Sequence, residues 1–211
     1  SYLLNIFKQN IDSTLSAVEK LGIETAIDIN IQNIFNLNDE LDTSDRYLII
    51  KASEVLKRFR TVNRDIDNIF IYIKSNDIIV SPTFFTDAGT FINLYQNETG
   101  IGHNAFQKSF LEADKRVFAS IPVNDENDMG KRLITYTIPL PIFEKGYSIA
   151  NLVITIKDLA FFNGVDSFIS YDHSGIMILN DQNGLIASTG LTETFDINAL
   201  GKLPDKSKPL Y

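Results

Sequence analysis

Residues 66 to 82 read IDNIFIYIKSNDIIVSP, and this stretch limits the possible folds more than any other part of the chain. Ile69, Phe70, Ile71, Tyr72 and Ile73 are five consecutive β-favouring residues. Side chains alternate between the two faces of a strand, so this one carries apolar character on both. Such a strand belongs in the middle of a sheet, not at its edge. Ser75-Asn76-Asp77 reads as a turn, Ile78-Ile79-Val80 as the return strand, and Ser81-Pro82 as its end. About a hundred residues later a weaker echo appears. Gly175-Ile176-Met177-Ile178-Leu179 runs into Asn180-Asp181-Gln182-Asn183-Gly184, and Leu185-Ile186-Ala187-Ser188 leads out. Two strand-turn-strand units in one chain point to a fold used twice.

Ahead of the hairpin, Leu4, Phe7, Ile11, Leu15 and Val18 recur at intervals of three and four, the narrow apolar stripe of an amphipathic or coiled-coil-like helix. The stripe shifts at Gly22 and resumes as Ile23, Ile27, Ile31 and Ile34. A single helix of about 35 residues would be ~50 Å long, longer than a small domain is wide, and is expected to act as a spine along two stacked units. The chain opens inside this pattern at Ser1-Tyr2-Leu3-Leu4 without a capping residue, as a piece of a longer protein would.

After a polar break over 36–42, Ser44 is the expected cap of a second helix, with Asp45 in its first turn and Leu48, Ala52, Val55 and Phe59 on its buried face. Beyond the hairpin come a short helix over 89–95, a loop at Gly100-Ile101-Gly102, and a helix over 104–112 with Phe106 and Phe110 facing inward. Residues 117–123, 132–139 and 147–156 read as three strands of an antiparallel meander. The last is again apolar on both faces, so it should lie beside strand 69–73. The expected fold is therefore α+β: a PAS-like antiparallel sheet of five strands in the order 2-1-5-4-3, counted along the chain, with helices over one face. Hairpin strand 78–80 and strand 117–123 would form its edges. A short connector at 157–163, a second and smaller unit built on the later hairpin, a helical turn at 196–200 and a Lys/Pro-rich end complete the chain.

Several function classes fall away on chemical grounds. The net charge is −8 and no Lys/Arg cluster could track phosphates, so no nucleic-acid partner is expected. Cysteine is absent, which removes disulfides and thiolate metal sites. No run of apolar residues is long enough to span a bilayer. Asp125-Glu126-Asn127-Asp128-Met129-Gly130 resembles the start of a calcium loop, but Met129 and Tyr136 occupy positions where oxygen ligands are required. Ser170, Asp172 and His173 adjoin a turn without a G-x-S-x-G elbow. Gly100-Ile101-Gly102 follows no strand and lacks the third glycine of a dinucleotide loop, and Asn97-Glu98-Thr99 is a formal glycosylation triplet. Nothing pairs a nucleophile with a base, so no enzyme activity, catalytic residue, metal or cofactor is expected.

What remains is aromatic. Tyr72, Phe84, Tyr95, Phe106, Phe118 and Tyr136 lie on or between the elements that cover the sheet, and Arg116 stands just ahead of a strand. Aromatic walls with a few polar groups suit a small-molecule pocket. The candidate ligand residues are Tyr72, Arg116, Phe118 and Tyr136. Taken singly, each ring is better explained by a Phe-rich core; the case rests on the group.

The sequence of a long helix, a second helix, IDNIFIYIKSNDIIVSP, a helical insertion, the meander VFASIPV, RLITYTIPLPIF and YSIANLVITIKDL, and the smaller hairpin GIMILNDQNGLIAST resembles the extracytoplasmic double-Cache sensor domains of bacterial transmembrane receptors. The form is similar to those of sensor histidine kinases and AraC-type regulators. The resemblance implies a stalk over 1–36, a membrane-distal unit over 37–160 that holds a small molecule, and a membrane-proximal unit over 161–211, here truncated. It also implies transmembrane helices flanking the domain and a location outside the cell membrane. The amino-acid-binding members carry an Arg, a Trp-Tyr pair and a downstream Asp across this sheet. This chain has no Trp, and Ile154-Thr155-Ile156 stands where the Asp is expected. A homodimer in the intact receptor would pair along Leu4, Ile11, Leu15 and Val18. The alternative function is a dimerisation or protein-interaction module with a vestigial pocket.

Overall fold

The computed structural model describes residues 2–123, 132–142, 148–157, 176–179 and 185–189. The expected central strand is β1, Ile66–Ile73, buried on both faces from Ile69 to Ile71. It forms an antiparallel hairpin with β2, Ile78–Val80, through a turn in which Asp77 adopts a left-handed φ of 51°. On its other side β1 pairs with β6, Ala150–Ile156, placing Ile69 opposite Ile154, Ile71 opposite Leu152 and Ile73 opposite Ala150. Strands β5, Arg132–Leu140, and β4, Val117–Pro122, continue the sheet outward from β6. The two doubly apolar strands are thus central neighbours, as their patterning requires.

One edge differs from the expectation. A sixth strand, β3, Phe85–Asp87, pairs with β2, so the order is β3-β2-β1-β6-β5-β4 and the hairpin strand is interior. Ser81 makes this return possible. Its backbone N–H and its hydroxyl both donate to the Phe84 carbonyl, at 2.9 and 2.7 Å, while the hydroxyl accepts from the Phe84 N–H at 3.2 Å. A three-residue strand is too short to leave a period in the sequence.

Helices cover both faces of the sheet, not one. Ile69, Ile71 and Ile73 share a core with α1, Tyr2–Ile27, α2, Ile29–Asn33, and α3, Thr43–Val62. Phe70 and Val153 point the other way, into a second core with α4, Ala88–Thr99, and α5, His103–Phe106. A π-helical turn, Gln107–Leu111, follows α5 directly. The strict alternation of β1 therefore divides the interior into two compartments.

The long spine is interrupted. Asp28 leaves helical geometry with φ −64° and ψ 131°, and its carboxylate accepts from the Asn30 N–H at 2.9 Å, ending α1 and capping α2. Ile27 just before the break and Ile29 just after it are exposed, whereas Ile31 and Ile34 are buried. Asp42, not Ser44, caps α3: its side chain accepts from Asp45 N–H at 2.9 Å, and Asp45 returns the bond to Asp42 N–H at 3.2 Å. The α1 stripe is occupied within the chain. Ile11 and Val18 are buried in the core shared with the sheet, and Leu15 packs against it. Of the dimer seam expected along Leu4, Ile11, Leu15 and Val18, Ile11 and Val18 are therefore not a free surface, because a side chain already removed from water has nothing left to contribute to a partner. Leu15 is partly buried, and the Leu4 side chain lies outside the described residues.

Gly22 does not weaken α1 so much as let it approach the sheet. A methyl group added there would overlap Cδ1 of Ile138 and stand 3.5 Å from both Cδ1 of Ile154 and Cε1 of Tyr136. Alanine gains about 1 kcal/mol in helix propensity, whereas overpacking costs about 1–3 kcal/mol. Because Ile138 is fully buried, the second effect dominates. Gly22→Ala should lower the urea midpoint, and adding Ile138→Val, which removes the clashing carbon, should recover part of the loss.

A second hairpin forms where the echo predicted it, with β7, Ile176–Leu179, antiparallel to β8, Leu185–Thr189. Strand β8 lies against β4 and β5 of the main sheet. The rest of the expected second unit, the connector at 157–163 beyond Lys157, the turn at 196–200 and the acidic loop at 125–130 lie outside the described residues.

Candidate functional site

The compartment between the sheet and α4/α5 holds Tyr72 and three of the other aromatic residues singled out from the sequence, Phe84, Tyr95 and Phe106, and its construction begins with two caps. Asp87 accepts from the Thr90 N–H at 2.8 Å and starts α4; this bond holds the Asp87 carboxyl below its ordinary pKa. Gly100, at φ 72°, ends the helix in the left-handed conformation that favours glycine. The chain then folds back so that α5 and the π turn present Phe106 and Phe110 to the sheet, both fully buried. Asn151 of β6 holds this turn: its amide donates to the carbonyls of Phe110 and Leu111 at 2.8 and 2.9 Å. Thr137 of β5 adds a bond to the Ser109 carbonyl at 3.2 Å.

Between these anchors the compartment is solid. Around Phe70 stand Phe91, Tyr95, Phe110 and Phe106, with ring centroids 4.9, 5.7, 5.8 and 6.0 Å away, and Phe106 meets Phe110 edge-on at 4.7 Å. Five interlocked rings leave no room over the middle of β1.

Open space lies at the two ends of this aromatic block. At the end near the β1–β2 turn is a groove of about 670 Å³, bounded by Tyr72, Lys74, Asp77, His103, Gln107 and Glu112. The Tyr72 hydroxyl donates to Asp77 at 3.1 Å, and half-burial together with that carboxylate pushes its pKa up to about 12. Burial pulls the Lys74 ammonium down, partly offset by Asp114. The groove thus carries both signs of charge beside an aromatic wall. At the opposite end is a smaller cavity of about 420 Å³ lined in part by Asn68, Phe84, Phe91 and Tyr95.

The four expected ligand residues are divided by the sheet. Tyr72 lies on the α4/α5 face, against the aromatic core. Tyr136 is buried on the α1 face, stacked on Phe118 at 4.1 Å with an interplanar angle of 15°. Arg116 is exposed on that side, close enough to oppose the rise in Tyr136 pKa that burial and Glu19 produce. Register accounts for the division. Tyr136 stands opposite Ile154, and Ile154 opposite Ile69, so all three share a face that Tyr72 cannot share. Sequence reasoning missed Lys74, Asp77, Asn151 and Thr137. Asn151 had a readable signal: a polar residue set within a strand otherwise mostly apolar on both faces.

No family model matches the sequence, and no curated protein matches it. Solved structures do resemble it. The sensory domain of the Campylobacter jejuni chemoreceptor Tlp3 with isoleucine bound is 14% identical over 94% of this chain and 76% of its own, with a TM-score of 0.51. The ligand-binding domain of the same receptor aligns in complex with L-norvaline at 15% identity, over 92% of this chain and 70% of its own, and in complex with 4-methylisoleucine at 16%, over 92% and 71%; both give a TM-score of 0.52. The chain has the mixed fold of these sensory domains, an N-terminal helix laid over an antiparallel sheet.

Proposed function

We propose that this chain is the extracellular, ligand-sensing domain of a membrane-bound signal-transduction receptor of the double-Cache type, without catalytic activity of its own. One observation carries the reading. The sheet is closed on one face by the N-terminal helix and on the other by a helical cap with an open, charge-lined groove at its end. A small molecule bound in that groove would touch α5 and β1 directly. Its effect would pass through β1, β6 and β5 to Gly22, where α1 rests on the sheet. Residues 37–160 form the distal, ligand-holding unit and 161–211 the proximal one. Transmembrane helices flank the domain, and a kinase or AraC-type output lies beyond them. No helix among the described residues is long and apolar enough to cross a membrane. The intact receptor is a homodimer, paired elsewhere than through the buried Ile11–Val18 stripe.

Within this reading the four candidate residues have two roles. Tyr72 contacts the ligand, whereas Phe118, Tyr136 and Arg116 form the platform on which α1 rides. The Tlp3 domains were solved with isoleucine and related amino acids, and the groove here offers Lys74 against Asp77 and Glu112. Amino acids are therefore the first class to screen. Thermal shift across amino acids and small metabolites tests the proposal, since a ligand selective for the folded state raises the melting temperature by mass action. The rise should vanish in Tyr72→Ala and persist in Tyr136→Ala. Equal shifts in both variants would place the ligand elsewhere.

A second reading has a specific observation behind it. The five-ring block fills the space over β1, which favours a protein-interaction module with a vestigial pocket. The absence of any hit in a broad screen would support that reading.

A further inference from the structure

The smaller cavity at the far end of the aromatic block contains a chemical anomaly. Tyr95 is 3% exposed, and its hydroxyl is the one buried side-chain polar atom among the described residues without a hydrogen-bond partner. Buried polar groups are nearly always paired, so an orphan in a native fold needs an explanation. Thr155 lies close enough to bias the hydroxyl's ionisation but not in bonding geometry. The Thr155 oxygen is already engaged with the Asn68 backbone, accepting from its N–H at 2.9 Å and donating to its carbonyl at 3.4 Å. Asn68 and Tyr95 both line the cavity, which spans β1, α4 and the turn before β3. At about 420 Å³ it is far larger than the ~30 Å³ share of a single water molecule.

The rest of the lining indicates what would complete it. The Phe84 ring, 42% exposed, offers an apolar face 5.9 Å from Phe91. Thr83 contributes a hydroxyl, while Arg60 from α3 and Glu98 from α4 place one charge of each sign beside it. An anion is disfavoured here, because the chain carries a net charge of −8 and Asp67 and Glu98 both act on the Tyr95 hydroxyl. Burial, the largest influence, keeps that hydroxyl protonated and therefore a donor.

We propose that this cavity is a second small-molecule site, distinct from the Tyr72 groove. It accepts a neutral, hydroxyl-bearing ligand of about monosaccharide size whose oxygen receives the Tyr95 hydrogen bond and whose apolar face lies on Phe84. The site does not depend on the receptor reading.

D-Ribose, D-glucose and glycerol at millimolar concentration are the probes, with sodium propionate as an anionic control, each tested by thermal shift. At least one of the neutral probes should raise the melting temperature of the wild type. Tyr95→Phe, which removes only the orphan hydroxyl, should melt no lower than wild type in the absence of probe and should lose that rise. Phe84→Ala, at an exposed position, should weaken the rise with the fold intact, and Tyr72→Ala should leave it unchanged. Equal shifts in wild type and Tyr95→Phe would mean general solute exclusion and overturn the proposal. So would a markedly lower melting point of unliganded Tyr95→Phe, which would show that the hydroxyl is bonded internally. A response to propionate alone, or to none of the probes, would also overturn it.

Discussion

Phe70→Ala should destabilise the protein by about 3–5 kcal/mol, the range for removing a fully buried aromatic side chain. Phe70 has no solvent exposure and stands among four other rings held by three elements, Phe91 and Tyr95 on α4, Phe106 on α5 and Phe110 on the π turn. Those rings cannot collapse together into the vacancy, because α4 is fixed by its Asp87 cap and the π turn is tied to Asn151. The upper half of the range is therefore expected. Urea denaturation should show a lower midpoint with an unchanged slope. A loss below about 1 kcal/mol would mean that the aromatic block is loosely packed and able to rearrange.

Ile71→Ala should cost about 2–5 kcal/mol on the opposite face. Ile71 is flanked in the sheet by Val80 and Leu152 and belongs to the core beneath the N-terminal helices. Paired with Phe70→Ala, it tests whether adjacent residues of one strand sustain two separate compartments. If either substitution leaves the denaturation midpoint within experimental error of wild type, one of the two helical layers does not cover β1 as described.

The parts of the fold that were legible in the sequence are those whose signal is local and dense. Strands β1 and β6 announced themselves because both faces of each are apolar, and only the centre of a covered sheet uses such strands. The α1 break was less visible, since isoleucines continue at helical spacing across it, and only Ile31 and Ile34 of those past the break are buried. The Asp28–Asn30 bond that ends the helix is a capping signal of the ordinary kind, masked by that apolar continuity. Strand β3 left no trace because three residues cannot show a period and Phe85-Thr86-Asp87 lacks the run of β-branched residues that marked the equally short β2. The candidate site failed for a different reason. Which face a strand residue takes depends on register, and register is set by pairing with residues elsewhere in the chain, Tyr72 with Asn151 and Tyr136 with Ile154. Tyr72 and Tyr136 both sit on interior strands, yet a different helical layer claims each. Phe106, read from sequence as a wall residue, turns out to be part of the filling, and Tyr95 belongs to both, its ring packed on Phe70 and its side chain lining the smaller cavity.

The central claim is that a ligand bound on the α4/α5 face is felt at α1 across the sheet. Amide chemical-shift mapping of the ¹⁵N-labelled protein, with and without a ligand found by the thermal-shift screen, tests it most directly. The account predicts perturbations at Lys74, His103 and Gln107 in the groove, and a second set around Gly22 where α1 meets Ile138 and Tyr136. Shifts at the groove residues with none around Gly22, or shifts confined to the exposed surfaces of α1 and α3, would contradict it.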